Sequence, residues 1–296
     1  MPVELGSEAH ERYREAGEIL ATVREEAAER VEVGTTHLDV AEHAEDRIRE
    51  LGGKPAFPVN ISVDEEASHA TPEPGDETAF EEGDLVNLDV GVHVDGYIAD
   101  AAVTVDLGDE PDLVAAAEEA LEAALDAVEP GANTGDVGAE IESVIESYGY
   151  QPIRNLTGHG LERWDAHTGP SVPNRAISSG VELAVGDVVA IEPFATDGSG
   201  KVGEGTGAQI YSLVDDRNVR NRQARQLLET IREEYRELPF AIRWFDSPRA
   251  GMLLRRLTGE GVLRSYPVLK EDEGALVSQA EHTVVVTDDG CEVTTR

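Results

Sequence analysis

Asp89 and Asp100 are the residues from which a chemical reading of this 296-residue chain starts. Around them runs Asn87-Leu88-Asp89-Val90-Gly91-Val92-His93-Val94-Asp95-Gly96-Tyr97-Ile98-Ala99-Asp100, with Val-rich alternation on both sides of Asp95-Gly96. Asp-Gly tolerates the positive φ of a two-residue type I′ turn, so a β-hairpin is predicted. Val94 then faces Tyr97, and Gly91 faces Asp100. Side chains alternate with period two, so Asp89 shares the face of Gly91 and lies diagonally from Asp100. Two carboxylates so placed repel, which raises one pKa unless a cation sits between them. Taken alone, the pair fits a metal site and a solvated edge hairpin equally.

Three further stretches offer ligand-type side chains. Thr157-Gly158-His159-Gly160 sets a histidine between glycines, where backbone can approach another group closely. Gly186-Asp187-Val188-Val189-Ala190-Ile191-Glu192-Pro193 is an apolar strand ending in a carboxylate, and Gln279-Ala280-Glu281-His282-Thr283 leads a Val-rich strand. Singly, each has an ordinary reading as a polar histidine, a strand end or an edge-strand charge. Jointly, Asp89, Asp100, His159, Glu192 and Glu281 form a hard, oxygen-rich set. It suits two divalent ions such as Mn, Fe(II) or Co and lacks the thiolates of a structural zinc site. Four negative charges match two divalent cations. A metal pair about 3.5–4 Å apart can bridge a water, lower its pKa and stabilise a tetrahedral oxyanion. The implied reaction is hydrolysis of an amide or ester.

The elements that must position these residues come in two sets. A helical apolar period runs from about Ser7 to Val33 and ends at Gly34; Thr36 is an N-cap candidate for a second helix stopped by Gly52-Gly53. Phe57–Val63 reads as a strand, followed by an acidic, Pro-rich loop carrying His69. Then the pattern recurs. Gly34, Asp39, Val40, Ile48 and Gly52 match Gly131, Asp136, Val137, Ile145 and Gly149 at an offset of 97. Gly83–Asp89 matches Gly186–Glu192 at an offset of 103. The expectation is an α+β fold of two duplicated halves, with Asp89 and Glu192 at equivalent positions facing a shared cleft. From Ser212 to about Tyr266 the rhythm breaks: helices over Asn221–Glu237 and Pro248–Leu257 and a turn at Gly259-Glu260-Gly261 read as an insertion. Glu281–Thr287 resumes the sheet.

Composition limits the setting. Lys+Arg is 24 against Asp+Glu 61, a net charge of -37, which argues against ordinary nucleic-acid binding. Lys54, Lys201 and Lys270 are the only lysines, and the acid is spread along the chain. Such a surface fits a halophilic protein, since at molar salt a Debye length of roughly 3 Å screens its self-repulsion. Cys291 is the single cysteine, which excludes an internal disulfide and fits a reducing cytosol. No signal peptide or membrane-spanning apolar run is found, so a soluble, cytoplasmic protein is expected.

The order Asp89, Asp100, His159, Glu192, Glu281, with its Gly-His-Gly and Glu-His-Thr contexts, resembles the pita-bread metallopeptidases. Within them it is similar to the type 2, archaeal-form methionine aminopeptidases, over nearly the whole chain. Phe57–Val63 followed by His69 matches that family's strand and active-site histidine. His167 with Ser171-Val172-Pro173-Asn174 matches its second histidine, and Tyr266-Pro267 precedes Glu281 as it does there. Ala70-Thr71-Pro72 departs from the pattern, where an aromatic often follows the histidine. The resemblance implies a pita-bread catalytic domain over 1–211 and 267–296, with a helical, winged-helix-like insertion over 212–266. It implies removal of the initiator methionine from nascent chains, through attack of a dimetal-bridged hydroxide on the first peptide bond. The metals would be Co, Mn, Fe(II) or Zn, held by Asp89, Asp100, His159, Glu192 and Glu281. Glu192 would also shuttle a proton, His69 and His167 would contact the scissile peptide, and Phe57 and Tyr266 would line the methionine pocket. A monomer working transiently near the ribosome, with no membrane and no specific nucleic-acid partner, is expected. The rival readings are a proline-specific aminopeptidase or dipeptidase of the same fold, and a non-catalytic pita-bread binding protein. The first normally carries a long N-terminal domain, for which Asp89 comes too early; the second loses ligands that are intact here.

Overall fold

The computed structural model describes residues 2–296. Helices α1 (Glu8–Ala28) and α2 (His37–Glu50) start at Ser7 and Thr36, whose hydroxyls accept the backbone N–H of His10 and Asp39. α1 stops at Ala28, earlier than its apolar period suggests. The bonds Arg30 N–H to Ala27 O and Val31 N–H to Ala28 O tighten the chain there and turn Val31 into the core. Strands β1 (Asn60–Val63), β2 (Glu66–Ser68), β3 (Leu85–Val94) and β4 (Tyr97–Asp106) follow. The extended stretch from Phe57 joins the ladder only at Asn60; Pro58 has no N–H to give. β3 is central, antiparallel to β1 on one side and β4 on the other. Leu88 and Val90 pack with Ala16, Leu20 and Ala44 from the two helices.

The second half repeats this plan. Helices α3 (Pro111–Asp126) and α4 (Thr134–Ser147) precede β5 (Thr157–Glu162), β6 (Asp165–Pro173) and β7 (Val188–Ile191). Asn133 caps α4 where Thr36 caps α2, at the predicted offset. The duplication extends to local conformation. Gly34 and Gly131, Gly52 and Gly149, and Gly83 and Gly186 all hold positive φ, between 87° and 104°. Asp84 accepts the Glu81 N–H and Asp187 the Ala184 N–H, each at 2.8 Å. These glycines are the punctuation that only a residue without Cβ satisfies cheaply.

Next come β8 (Gly203–Leu213), α5 (Arg222–Glu234), α6 (Ala250–Gly259), β9 (Leu263–Lys270) and β10 (His282–Val286). α5 and α6 share a core of their own, with Leu228, Ile231, Phe240 and Leu254 fully buried. β10 pairs with β7, which pairs with β5 and so with β6. The two halves meet where Glu281 N–H donates to Ala102 O at 3.1 Å and Ala102 N–H returns to Glu281 O at 3.4 Å. β9 runs between β8 and β2, bringing residues 263–270 beside the loop that carries His69. Among the described residues, no helix is long and apolar enough to cross a membrane.

Candidate metal centre and its cavity

The β3–β4 hairpin has the register that its sequence predicts. Val94 faces Tyr97, Gly91 faces Asp100 and Asp89 faces Ala102, with Asp95 and Gly96 at φ of 52° and 89°. Asp89 and Asp100 are thus diagonal neighbours on one face. A Cβ at position 91 would lie 2.2 Å from the Phe57 ring, so the glycine opposite Asp100 makes room for that aromatic. The glycines flanking His159 do what their spacing suggests. A Cβ at 158 would meet Ala190 O at 2.4 Å, and one at 160 would meet Gly169 O at 2.2 Å. β5 can therefore press against β7 and β6 and aim the imidazole inward.

Five strands or their ends deliver Asp89, Asp100, His159, Glu192 and Glu281 to one cavity of about 360 Å³. One ligand-type atom each from Asp100, His159 and Glu281 lies within 4.8 Å of the others. His159 Nε2 stands 3.8 Å from Asp100 Oδ2 and 3.7 Å from Glu192 Oε1. The Asp89 and Asp100 carboxyls lie close enough for each to shift the other's titration. Thr283 fixes the Asp100 backbone, its hydroxyl accepting the N–H and donating to the carbonyl, both at 2.8 Å. Gln279 Nε2 donates to Glu281 Oε2 at 3.3 Å.

Electrostatics identifies what this cluster can hold. Burial raises the Asp89 carboxyl to about 7, with the neighbouring Asp100 side chain opposing. Asp100, Glu192 and Glu281 are pushed well above the carboxylate range, first by burial and then by their neighbours' charges. Burial lowers His159 to about 3, so its imidazole is neutral. Its Nδ1 lies 3.3 Å from Gly160 O; an N–H there leaves the Nε2 lone pair toward the carboxylates. Asp89 Oδ1 and Asp100 Oδ1 are buried without any hydrogen-bond partner. Orphaned carboxylate oxygens, crowded negative charge and a neutral imidazole are costly as a protein interior and well suited to divalent cations.

The remaining predicted residues surround the same cavity. Phe57 is buried, one side packed over Gly91 and another lining the space. His69 adopts φ of 64°, a left-handed conformation that costs a non-glycine residue about 1–3 kcal/mol. Its Nδ1 lies 3.3 Å from Pro267 O, and burial followed by the nearby His167 lowers its pKa to about 4. Tyr266 packs edge-on against the His69 ring at 5.4 Å and shares a 3.0 Å hydrogen bond with Ser212. The His167 ring, 4.4 Å from that of His159, keeps solvent contact through the open cavity. Surrounding protein lowers its pKa, with Asp165 opposing and Arg264 adding.

Among the cavity residues that sequence reasoning missed are Asn60 and Arg264. Asn60 stands opposite Asp89 in the ladder, is buried and has an unpartnered Oδ1; a lone Asn between Val59 and Ile61 was the available signal. Arg264 joins the lining from the start of β9, with nothing in its local pattern to announce it.

Comparison with known proteins extends this picture. Residues 11–218 match the model of metallopeptidase family M24. The chain is 52% identical over 292 residues to a methionine aminopeptidase of Archaeoglobus fulgidus, covering 99% of this chain and 100% of that protein. Among solved structures, a methionine aminopeptidase from Thermotoga maritima superposes with TM-score 0.74 at 27% identity, over 100% of both chains. A thermophilic Arx1 superposes with TM-score 0.88 over 98% of this chain and 91% of the other; at 18% identity it shows the fold alone. Both superpositions bear out the pita-bread architecture of two duplicated halves. The chain belongs to metallopeptidase family M24, in its methionine aminopeptidase branch.

Proposed function

We propose that this chain removes the initiator methionine from nascent proteins, with Asp89, Asp100, His159, Glu192 and Glu281 holding two divalent ions. The observation that carries the reading is the convergence of those five side chains on one cavity, with two aspartate oxygens left unpartnered. Close identity to methionine aminopeptidases supports the substrate. The oxygen-rich donor set favours Mn, Fe(II) or Co, with Zn compatible. When bound, such ions polarise a carbonyl and lower the pKa of a water.

The protein's own share is positional and acid–base. Water oxygen joins the carbonyl carbon of the first residue, and the C–N bond to the second residue breaks. Glu192 accepts the water's proton and passes it to the departing amine nitrogen. His69 and His167, both neutral, hydrogen-bond the scissile peptide and stabilise the charge that develops on it. Phe57 and Tyr266 wall the pocket for the methionine side chain. The segment 212–266, read as a type 2 insertion, closes that wall from one side with Pro239, Arg264 and Tyr266.

Hydrolysis of Met-Ala-Ser, Met-Leu-Ser and Ala-Pro peptides in high salt with Mn or Co tests the assignment. Turnover of the first, little of the second and none of the third is expected; preference for Ala-Pro overturns it in favour of a proline-specific enzyme. Phe57→Ala is expected to raise KM for Met-Ala-Ser about tenfold, as burial of a methionine side chain is worth roughly 1.5–3 kcal/mol. A folded protein by circular dichroism is part of that expectation, and an unfolded one makes Phe57 a core aromatic only.

The acidic surface belongs to the same reading. A net charge of -37 opposes approach to ribosomal RNA in dilute buffer, and molar salt screens it within roughly 3 Å. Segment 212–266 is the exception, with eleven arginines against eight acidic residues. That balance suits transient proximity to the ribosome by a cytoplasmic monomer. Activity and melting temperature, with metals saturating, are expected to rise steeply from dilute buffer to molar KCl. Equal stability and activity at low salt would remove the halophilic explanation.

A further inference from the structure

Outside the catalytic cavity, a buried ion pair joins α2 to segment 212–266. Glu45 and Arg243 have side chains only 3% exposed and are paired directly. The Glu45 carboxylate also accepts Trp244 Nε1–H at 2.6 Å and Val59 N–H at 3.3 Å. The other end of the Arg243 fork donates through Nη1 to Thr71 Oγ1 at 2.7 Å and to Pro72 O at 3.5 Å. Thr71 in turn donates its hydroxyl hydrogen to Val59 O at 2.7 Å. One guanidinium therefore ties Glu45 of α2 to Thr71, and Val59, twelve residues before Thr71, is bonded to both.

The stretches around Val59 and Thr71 both lead into the cavity. Val59 lies two residues from Phe57, and Thr71 two residues from His69. His69 is held at φ of 64°, a conformation that persists only where the surroundings over-determine it. Its neighbours restrain it as well: Ala70 O accepts Ile61 N–H at 2.8 Å, Ser68 pairs with Leu269, and the His69 ring reaches Pro267 O and packs against Tyr266. On the far side of His69, Thr71 is held by its bond to Val59 O and by the Arg243 guanidinium. A planar fork spans Glu45 and Thr71 at once; a point-like ammonium does not.

We propose that Arg243, oriented by Glu45, is a positioning residue that clamps Thr71 against Val59 and so fixes the His69 imidazole over the substrate. The clamp makes segment 212–266 part of the catalytic machinery through its hold on a loop of the other domain. This rests on the reading that His69 contacts the scissile peptide.

The test is a double-mutant cycle of Arg243→Lys with His69→Ala, reading kcat and KM on Met-Ala-Ser together with metal content. In the parent protein Arg243→Lys is expected to lower kcat about tenfold at unchanged metal content, with little change in KM. In the His69→Ala background the same substitution is expected to lower kcat less than twofold, because the group it positions is gone. Equal losses in both backgrounds, or a change in melting temperature alone, would overturn the clamp and leave an ordinary structural ion pair. If His69→Ala by itself leaves kcat intact, the role of His69 falls and the clamp with it, and that single variant reports the difference. Should Arg243→Lys not fold, Thr71→Val removes the bridging hydroxyl while keeping the pair with Glu45, and the same cycle applies.

Discussion

Asp100→Asn is expected to abolish hydrolysis of Met-Ala-Ser and to lower the metal content of the protein, measured by elemental analysis, from two ions per chain. Asparagine is nearly isosteric, so the hairpin and the Thr283 hydroxyl that grips the Asp100 backbone stay in place. What goes is one of four buried negative charges and an oxygen with no other partner. The same substitution should move stability the opposite way in metal-free protein. It removes like-charge repulsion from Asp89, Glu192 and Glu281, so the melting temperature of the stripped variant should exceed that of the stripped parent. The rise would be about 2–4 °C for each kcal/mol relieved. Loss of function with gain of apo-stability is a signature that a misfolded variant does not give. Full turnover by Asp100→Asn, with two metals bound, would sink the assignment.

His167→Ala is expected to reduce kcat by about 10²–10³ while metal content and KM change little, the usual effect of deleting one hydrogen-bond donor to developing charge. The geometry makes this discriminating. The His167 ring lies 4.4 Å from that of His159, tilted by 44°, close enough that a ligand role must be considered. His159 presents its Nε2 to two carboxylates, whereas His167 sits at the solvent-open side. Parallel loss of metal and turnover in His167→Ala would make it a ligand and demote it from peptide recognition.

The residues legible in sequence were those whose meaning is local or periodic. Asp95-Gly96 fixed the hairpin register, and with it the diagonal placement of Asp89 and Asp100. The matched glycines helped reveal the duplication because a positive φ leaves a mark in residue type. Thr36 caps α2 as expected, and Asn133, 97 residues on, caps α4 in the same way. Less was legible where the partner is distant. Glu45 reads as one more acid on an amphipathic helix, and only the fold brings Arg243, 198 residues away, against it. Asn60 and Arg264 owe their importance to the cavity and not to their neighbours in sequence. The short strand Glu66–Ser68 was hidden in an acidic loop, since its partner Leu269 is supplied by a strand about 200 residues further along the chain. Phe57 and Tyr266 became pocket candidates through resemblance alone; their own stretches suit core aromatics equally well.

The joint between the two halves sets the order in which the molecule becomes an enzyme. The bonds that knit Asp100 to Thr283 span 183 residues, and Glu281 meets Ala102 across a similar interval. Contacts this remote form late, because a long loop must close before they return any stabilisation. The first half can bury its helices against β3 and β4 while the rest of the chain is still emerging, since its core is drawn from residues 16 to 107. It would then carry two aspartates of an unfinished site and no means of completing it. Only when β10 docks does the constellation close, so a partly made chain stays inert among the nascent peptides that its finished counterpart would process.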